Sequence, residues 1–378
     1  MTIEYTESPS STPGASAEAL LVVDNLHVDF PTDDGVVRAV RGVSYRLRPG
    51  EVLGIVGESG SGKSVTSLAV MGLLPRSAMV EGSVKFRGQE MLGLSESGLS
   101  RFRGNHVSMI FQDPMSSLNP VYTIGWQIAE ALRAHQEMSK EAAHARAIEL
   151  LEIVGIPNAR KRAENFPHEF SGGMRQRAVI AIGMANDPDV IIADEPTTAL
   201  DVTVQAQVLE SLAIARNETG AAMVLITHDL GVVAGQADRV LVMYAGKPVE
   251  IGTVSDIYYE PRMPYTLGLL GSMPRLDADQ QERLTPIAGA PPSLINLPPG
   301  CPFAPRCPLA QAICDEVEPE LLPTTSPDHV AACHFSDRLE GVKPSDLFQV
   351  TSVDDVALAD QSSATATRSD SQPEGGLR

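Results

Sequence analysis

Short apolar runs alternate with stretches of helical periodicity along most of the chain, from about residue 19 to residue 270. Segments such as VLGIV, VIIAD and MVLIT are short and rich in Val, Ile and Leu, which is typical of strands that are covered on both faces. Repeated alternation of such strands with helices predicts an α/β fold with a substantially parallel sheet.

The pattern changes at both ends of this region. Residues 1–18 are rich in Ser, Thr and Glu and predict a disordered lead-in. Residues 271–335 include IAGAPPSLINLPPGCPFAPRCP, whose prolines exclude central strands and helix interiors, so a small irregular extension is expected there. Residues 336–378 are mostly Asp, Ser, Thr, Ala and Gly and predict a disordered acidic tail.

Composition limits the location and the partners. The N-terminal residues lack the basic and apolar regions of a signal peptide, and no apolar stretch approaches the roughly 20 residues that span a bilayer, so a cytosolic protein is expected. The net charge is −19. Proteins that bind nucleic-acid backbones present a basic face, so this charge argues against a nucleic-acid partner and is better explained by solubility.

A glycine-rich loop lies between a predicted strand and a predicted helix in VLGIVGESGSGKSVTSLAV. Gly57, Gly62, Lys63 and Ser64 match the pattern GxxxxGK[ST]. Glycines allow successive backbone N–H groups to point at phosphate oxygens, and the start of the helix adds its positive dipole end. We expect Lys63 to reach the β- and γ-phosphates of a nucleotide and Ser64 to ligate Mg²⁺.

Two further predicted strands end in polar side chains. The strand in DVIIADEPTTALD ends in Asp194 and Glu195, and the strand in AAMVLITHDLGVV ends at His228. Ligands of parallel sheets bind at the carboxyl ends of the strands. We therefore expect Asp194 in the Mg²⁺ shell and Glu195 as the base that polarises an attacking water. His228 could contact the γ-phosphate or that water, or be an ordinary exposed residue.

The segment FSGGMRQR, at residues 170–177, contains a serine and two glycines that a simple phosphate-loop enzyme does not need. It resembles the signature motif of the ABC ATPases, and the surrounding motifs resemble that family along most of residues 20–270. The resemblance implies an ABC-type P-loop NTPase domain over residues 19–270, with a helical subdomain at about residues 113–185. It also implies that the signature motif contacts the γ-phosphate bound by a second domain, so a chain with one phosphate loop must dimerise.

The same resemblance gives roles to residues outside the phosphate loop. It places Gln112 where the family senses Mg²⁺ and the transporter, Asp201 at the end of the D-loop, His228 at the switch histidine and Phe30 at the aromatic that stacks on adenine. The implied catalytic residues are Glu195, His228 and Lys63, and the implied Mg²⁺ ligands are Ser64, Gln112 and Asp194. The implied ATP contacts are Phe30, Gly57, Ser59, Gly60, Ser61, Gly62, Lys63, Ser64, Val65, Gln112, Ser171, Gly172, Gly173 and Asp201.

A narrower resemblance is carried by FQDPMSSLNP, FSGGMRQR, PYTLGLL and LPPGCPFAPRCPLA, which are similar to segments of the oligopeptide and dipeptide importer ATPases. This implies an ATP-hydrolysing subunit that powers peptide uptake at the cytoplasmic face of the cell membrane. The implied partners are a second homologous ATPase subunit in a heterodimer, two transmembrane permease subunits and, indirectly, an extracytoplasmic solute-binding protein.

Two alternatives to peptide import stay open. The same ATPase could serve another solute, such as nickel or glutathione. A soluble ABC ATPase acting on nucleic acid or ribosomes is the rival from another class, and the single nucleotide motif and the acidic charge of this chain disfavour it. A regulatory ATP binder without hydrolysis is disfavoured because every catalytic position is filled.

All four cysteines of the chain lie between residues 301 and 333, with the spacing C-x5-C-x6-C-x18-C. A cytosolic location disfavours disulfides, and structural zinc sites usually have tighter C-x2–4-C pairs. Spacing alone leaves a metal or cluster site and unliganded thiols equally open, with His329 and His334 as substitute ligands. The resemblance to the importer ATPases implies a [4Fe-4S] cluster held by Cys301, Cys307, Cys314 and Cys333, with zinc or no metal as the alternatives.

Overall fold

The structure is a computed structural model that describes residues 19–198, 200–273 and 286–348. The predicted lead-in at residues 1–18 and most of the predicted tail lie outside the described residues. Within them, strands and helices alternate as the apolar pattern predicts, which confirms the α/β fold class.

Strands and helices have the following bounds. The strands are β1 Leu21–Thr32, β2 Gly35–Leu47, β3 Val52–Val56, β4 Met79–Phe86, β5 Gln89–Glu90, β6 Val107–Ile110, β7 Val190–Asp194, β8 Ala222–Thr227, β9 Arg239–Tyr244, β10 Lys247–Thr253, β11 Leu322–Pro323 and β12 Val330–Ala331. The helices are α1 Lys63–Val70, α2 Glu96–Leu99, α3 Pro114–Ser117, α4 Ile124–Arg133, α5 Lys140–Ile153, α6 Ala159–Arg162, α7 Gly172–Met184, α8 Val202–Thr219, α9 Leu230–Ala234, α10 Val254–Tyr259, α11 Pro264–Gly271, α12 Ala312–Glu316 and α13 Pro344–Leu347.

The chain forms two compact units, and each contains several separate segments. The described part of the first unit comprises residues 19–28, 41–53 and 64–226. The second unit comprises residues 29–40 and 54–63 and the described residues after 226. The long strands β1 and β2 and the strand β3 therefore each pass from one unit into the other.

Parallel strands form the centre of the first unit. Val107 of β6 pairs with Val190 of β7, which in turn pairs with Ala222 of β8. Every residue of β7 is buried, and because successive side chains of a strand point to opposite faces, both faces of this strand are covered. The register places the last residue of β7, Asp194, opposite Ile226, so that the polar residues after β7 start at the carboxyl edge of the parallel strands.

Helices α4, α5, α7 and α8 pack against one another within the same unit. Each helix starts at a capping residue whose side chain accepts a hydrogen bond from a backbone N–H of the first turn. The capping residues are Thr123 for α4, Ser139 for α5, Ser171 for α7 and Asp201 for α8. Among the described residues, no helix is both long enough and apolar enough to cross a membrane.

The second unit contains the hairpin of β9 and β10, in which Tyr244 pairs with Lys247. The two residues between them, Ala245 and Gly246, both have positive φ, at 48° and 82°, as tight two-residue hairpin turns require. Strand β12, from the predicted irregular extension, pairs with β10 and carries β11 on its other edge. The extension is therefore joined to the hairpin by backbone hydrogen bonds.

The core of the second unit includes side chains from the extension. The rings of Tyr244, Tyr265 and Phe303 pack together with centroids 4.6–5.4 Å apart. Leu339 and Phe348 are buried in the same core. The prediction of a disordered tail from residue 336 is therefore wrong for residues 336–348, because the apolar side chains of this stretch, with Val342 and Leu347 partly buried beside the first two, pack against the core.

Candidate nucleotide site

The phosphate loop, residues 57–62, lies between β3 and α1 in the second unit. The φ angles of Gly57 and Gly62 are 154° and 99°. A Cβ at Gly57 would lie 2.3 Å from the carbonyl oxygen of Met243, and one at Gly62 would lie 2.4 Å from that of Ala39. The loop therefore packs backbone against backbone, which only glycine permits at these two positions.

Lys63 is held inside this loop. Its side chain is buried, and Nζ donates hydrogen bonds to the carbonyl oxygens of Gly57, at 2.8 Å, and Glu58, at 3.0 Å. Ser59 and Gly60 are exposed. A phosphate that accepts from the N–H groups of the loop would meet the Lys63 ammonium, which is the arrangement that the sequence motif predicts.

The first unit holds the predicted Mg²⁺ ligands Ser64 and Asp194. Asp194 is the last residue of β7 and is buried. The hydroxyl of Ser64 donates a 2.8 Å hydrogen bond to Asp194 Oδ1. A hydroxyl and a carboxylate at this separation are oxygen donors of the kind that Mg²⁺ prefers, so the residues present fit the ion.

Glu195 follows Asp194 in a strained backbone conformation, with φ at 44°. Its carboxylate Oε2 accepts a 3.2 Å hydrogen bond from Gln112 Nε2 and a 2.8 Å hydrogen bond from the hydroxyl of Thr198. These bonds fix the carboxylate beside the candidate Mg²⁺ ligands of the same unit. Sequence reasoning missed Thr198, although its position three residues after Glu195 in EPTT is a signal that could have found it.

The remaining predicted ATP contacts have these positions. His228 is exposed, belongs to the second unit and is the residue after the end of β8. Phe30 is partly buried on β1, Ser61 is buried in the phosphate loop and Val65 is partly buried on α1. Their roles stay predictions that rest on the sequence motifs.

The signature motif FSGGMRQR starts helix α7. Ser171 is the residue before the helix and accepts a 3.4 Å hydrogen bond from the backbone N–H of Met174. Ser171 and Gly172 are exposed, whereas Gly173 is buried, and a Cβ there would lie 2.3 Å from Cγ1 of Val204 in α8. An exposed serine at a helix N-terminus is suited to bind an anion.

Large apolar side chains are exposed in the segment that begins just before Gln112. We call residues 111–126 the apolar segment. Its exposed apolar side chains are Phe111, Met115, Val121, Tyr122 and Trp126. The rings of Tyr122 and Trp126 stack at a centroid distance of 4.0 Å. The stacked, exposed pair of Tyr122 and Trp126 makes this segment a candidate interaction surface.

The four cysteines of the extension line one cavity in the second unit, together with His334, Phe303 and other apolar side chains. Backbone hydrogen bonds join the cysteine segments, including one of 2.7 Å from the Cys301 N–H to the Cys314 carbonyl oxygen. None of the four forms a disulfide. The spacing in the sequence left their relative positions open, and the fold places them around a common space.

Burial favours the neutral form of three of these thiols. It raises the pKa of Cys301, raises that of Cys307 to about 11 and raises that of Cys333 to about 12. Among the described residues, no three or more His, Cys, Asp or Glu side chains are arranged to hold a single metal ion. The structure thus shows four cysteines around one cavity, without a metal-binding arrangement among the described residues.

The two candidate substitute ligands differ. His334 lines the cysteine cavity, and its Nε2 lies 2.9 Å from the carbonyl oxygen of Val317. His329 is fully buried elsewhere in the second unit, with Nε2 at 2.8 Å from Glu250 Oε1. Of the two, only His334 is among the residues that line the cysteine cavity, while His329 Nε2 is bonded to a buried carboxylate.

Two family comparisons cover separate parts of the chain. Residues 40–198 match the ABC transporter family, and residues 249–314 match the C-terminal region of oligopeptide/dipeptide transporters. The first segment contains the phosphate loop, the signature motif and Glu195. The second contains Cys301, Cys307 and Cys314.

Curated relatives match over most of the chain. The oligopeptide transport ATP-binding protein OppD of Mycobacterium tuberculosis is 58% identical over 351 residues, which is 92% of this chain and 57% of that protein. This chain thus spans little more than half of that relative. The dipeptide transport ATP-binding protein DppD of Bacillus subtilis is 53% identical over 323 residues, or 85% of this chain and 96% of that protein. OppD of Escherichia coli is 52% identical over 84% of this chain and 93% of its own length.

A solved structure supports the same conclusion for the fold. The ATP-binding cassette MJ0796, in a dimeric post-hydrolysis state bound to ADP and Pi, has a TM-score of 0.56 and 26% identity, covering 62% of this chain and 98% of that chain. The motifs, the family matches and the relatives agree. The chain therefore belongs to the ABC transporter family, within the group of the oligopeptide and dipeptide transport ATP-binding proteins.

Proposed function

We propose that the chain is the ATP-binding and ATP-hydrolysing subunit of an ABC importer that takes up di- or oligopeptides. The observation that carries this proposal is the constellation of the first unit, in which Ser64 bonds to Asp194 and Glu195 follows with its carboxylate fixed by two hydrogen bonds. The peptide substrate rests on the relatives, which are dipeptide and oligopeptide transport ATP-binding proteins. On this account the ATPase domain comprises residues 19–270, with its helical subdomain at about 113–185, and the extension starts at 271.

The residues divide the work of hydrolysis among them. When bound, Mg²⁺ supplies positive charge to the β- and γ-phosphate oxygens, and Ser64, Asp194 and Gln112 would hold it. The Glu195 carboxylate accepts a proton from the attacking water, because Gln112 and Thr198 keep it in one orientation. Lys63 stabilises the charge that develops on the γ-phosphate, and His228 contacts the same group.

The chain acts as part of a dimer of ATPase subunits. The exposed Ser171 and Gly172, at the start of α7, would contact the ATP of the opposing subunit. The dimeric state of the solved relative bound to ADP and Pi is consistent with this arrangement. We propose that the second subunit is a homologous but different chain, so that the working ATPase is a heterodimer.

The proposed membrane partners are two permease subunits, which act with an extracytoplasmic solute-binding protein. The apolar segment 111–126 supports a permease contact, because it contains Gln112 and exposes the aromatic side chains Phe111, Tyr122 and Trp126. Because Gln112 donates to Glu195 and lies within this segment, it can report nucleotide state to the partner. The chain would lie at the cytoplasmic face of the membrane.

We also propose a [4Fe-4S] cluster in the cysteine cavity, held by Cys301, Cys307, Cys314 and Cys333. Four cysteines around one cavity are the donor set that such clusters use, and when bound the cluster would cross-link the segments of the extension. Because cysteines bind metal as thiolates, loading would release protons. Protein purified without oxygen should contain about four irons and four acid-labile sulfides per chain. Zinc without sulfide, or no metal, would contradict the cluster.

Peptide uptake by cells tests the function. Cells without the gene for this chain should take up a labelled tripeptide poorly, and the wild-type gene should restore uptake. Glu195→Gln should not restore it, whereas Glu210→Gln, an exposed carboxylate of α8, should. Peptide uptake that is independent of this chain, together with ATP turnover by its purified complex, would favour nickel, glutathione or another solute instead.

A further inference from the structure

The phosphate loop contains a carboxylate. Glu58 is the second residue of the loop GESGSGKS, and it belongs to the same unit as Lys63. A nucleoside triphosphate carries several negative charges. A neighbouring carboxylate opposes its binding unless an opposite charge neutralises that carboxylate.

Arg306, from the C-terminal extension, supplies that charge. Its Nη1 and Nη2 donate to the two carboxylate oxygens of Glu58, at 2.7 and 2.9 Å. The side chain of Arg306 is 5% exposed and that of Glu58 is 26% exposed. This is the two-bonded geometry in which arginine pairs most strongly with a carboxylate, and the bond to Glu58 raises the pKa of Arg306. The two residues are 248 positions apart in the chain.

The extension fixes Arg306 independently of Glu58. Its Nε donates to the carbonyl oxygen of Ala288 at 3.0 Å, and its Nη1 donates to the hydroxyl of Tyr244 at 3.3 Å. Its guanidinium also lies 5.9 Å from the ring centroids of both Tyr244 and Phe303. These contacts hold the Arg306 guanidinium in the orientation in which it binds the Glu58 carboxylate.

The backbone of Glu58 is held as well, and it connects the pair to Lys63. The N–H of Glu58 donates to the hydroxyl of Tyr265 at 2.8 Å. Its carbonyl oxygen accepts from Lys63 Nζ at 3.0 Å and from the N–H of Ser61 at 3.2 Å. The residue that Arg306 neutralises is thus also a hydrogen-bond acceptor of the ammonium expected to bind phosphate.

We infer that Arg306 is a positioning residue for ATP binding, which neutralises and orients Glu58 so that the phosphate loop can accept a triphosphate. This inference rests on the ATP site proposed above. It gives the extension a role in the nucleotide site that is separate from any group in the cysteine cavity. Without Arg306, Glu58 becomes an unpaired negative charge within the loop.

Equilibrium titration of the full chain with Mg·ATP tests this role. Arg306→Gln should weaken ATP binding by about tenfold, the order expected when one partner of a partly buried ion pair is removed. Glu58→Gln should bind within about threefold of wild type, because it removes the carboxylate itself. The double variant Glu58→Gln/Arg306→Gln should recover most of the affinity lost in Arg306→Gln. If the ion pair only held the loop and the extension together, the double variant would not recover ATP affinity.

A matched control separates this effect from general loosening of the extension. Lys247 of β10 forms a 2.9 Å ion pair with Glu318 of the extension, and Lys247→Gln should leave ATP affinity unchanged. If Arg306→Gln does not fold, Arg306→Lys keeps the positive charge without the two-bonded geometry, and its ATP affinity should fall by less than about tenfold.

Three results would overturn the inference while leaving the proposed function intact. They are wild-type affinity in Arg306→Gln, a double variant as weak as Arg306→Gln, and a tenfold loss in folded Arg306→Lys. A wild-type chain that does not bind ATP would instead overturn the proposed function.

Discussion

At the scale of single residues, the candidate hydrolysis site depends on where Glu195 holds its carboxylate. Its positive φ is costly for a residue with a side chain, by about 1–3 kcal/mol. The bonds from Gln112 and Thr198 hold the carboxylate of that strained residue. Strain of this kind persists where the surroundings over-determine it, and it occurs often at catalytic positions.

Glu195→Gln should retain ATP binding and lose hydrolysis. The amide has nearly the same shape as the carboxylate but cannot accept the proton of the attacking water, so phosphate release should fall by about 10²–10⁴-fold. The measurement is phosphate release from saturating Mg·ATP, together with equilibrium ATP binding. Glu210→Gln is the control and should match wild type. Unchanged turnover in Glu195→Gln would remove this residue from the mechanism.

Local sequence motifs were enough to predict the phosphate loop. The contacts between residues far apart in the chain became known only from the structure. The phosphate loop is contiguous, so the spacing of Gly57, Gly62 and Lys63 was enough to predict its position. The pair of Glu58 and Arg306 could not be predicted, because nothing in the spacing of residues 248 positions apart shows that they meet.

At the scale of elements, the signature motif is tied to the packing of α7 on α8. Gly173 is buried in the first turn of α7, where a Cβ would lie 2.3 Å from Cγ1 of Val204. The neighbouring Gly172 has room, since its Cβ would lie 3.7 Å from the nearest atom, Cδ2 of Leu200. The contact between α7 and α8 therefore requires glycine at position 173 but not at position 172.

Gly173→Ala should destabilise the protein by about 1–3 kcal/mol, as overpacking in a tight contact does. Gly172→Ala is the matched control and should change stability little, because its added methyl group meets no clash. The free energy of unfolding from urea titration measures both. Equal stability of the two variants would show that α7 and α8 separate easily.

The structure of the C-terminal extension could be predicted from the sequence only in part. Its prolines correctly indicated short and irregular structure, but they did not show that β12 pairs with β10 or that Phe303 joins two tyrosines in the core. Pairing between distant strands depends on partners that local composition does not reveal. For the same reason the folded part of the predicted tail, residues 336–348, was missed.

Phe303→Ala should destabilise the extension by about 3–5 kcal/mol, because it leaves a cavity among buried rings. Ile313→Ala, at an exposed position of α12, should change the unfolding free energy by less than about 0.5 kcal/mol. Thermal and urea unfolding of both variants measure this difference. Similar losses in the two variants would contradict the packing described for Phe303.

At the scale of the whole molecule, this sequence contains one phosphate loop and one signature motif, and on the proposed function the site is completed by a second ATPase domain. Sequence motifs carried this conclusion, and the relatives place the chain among transport ATP-binding proteins.

ATP should promote association of ATPase subunits. In Glu195→Gln, bound ATP is not consumed, so the closed dimer should accumulate. Light scattering of the full chain with its co-purified partner subunit should show the mass of a dimer with Mg·ATP and a smaller mass with ADP. The same mass with both nucleotides would contradict closure driven by the γ-phosphate.

The most direct test of the central claim is phosphate release from Mg·ATP by the full chain, purified with the subunits that accompany it. The account predicts hydrolysis that requires Mg²⁺ and is abolished by Lys63→Ala, because the ammonium that meets the phosphates is then lost. Hydrolysis that persists in Lys63→Ala, or a wild-type complex that neither binds nor hydrolyses ATP, would contradict it.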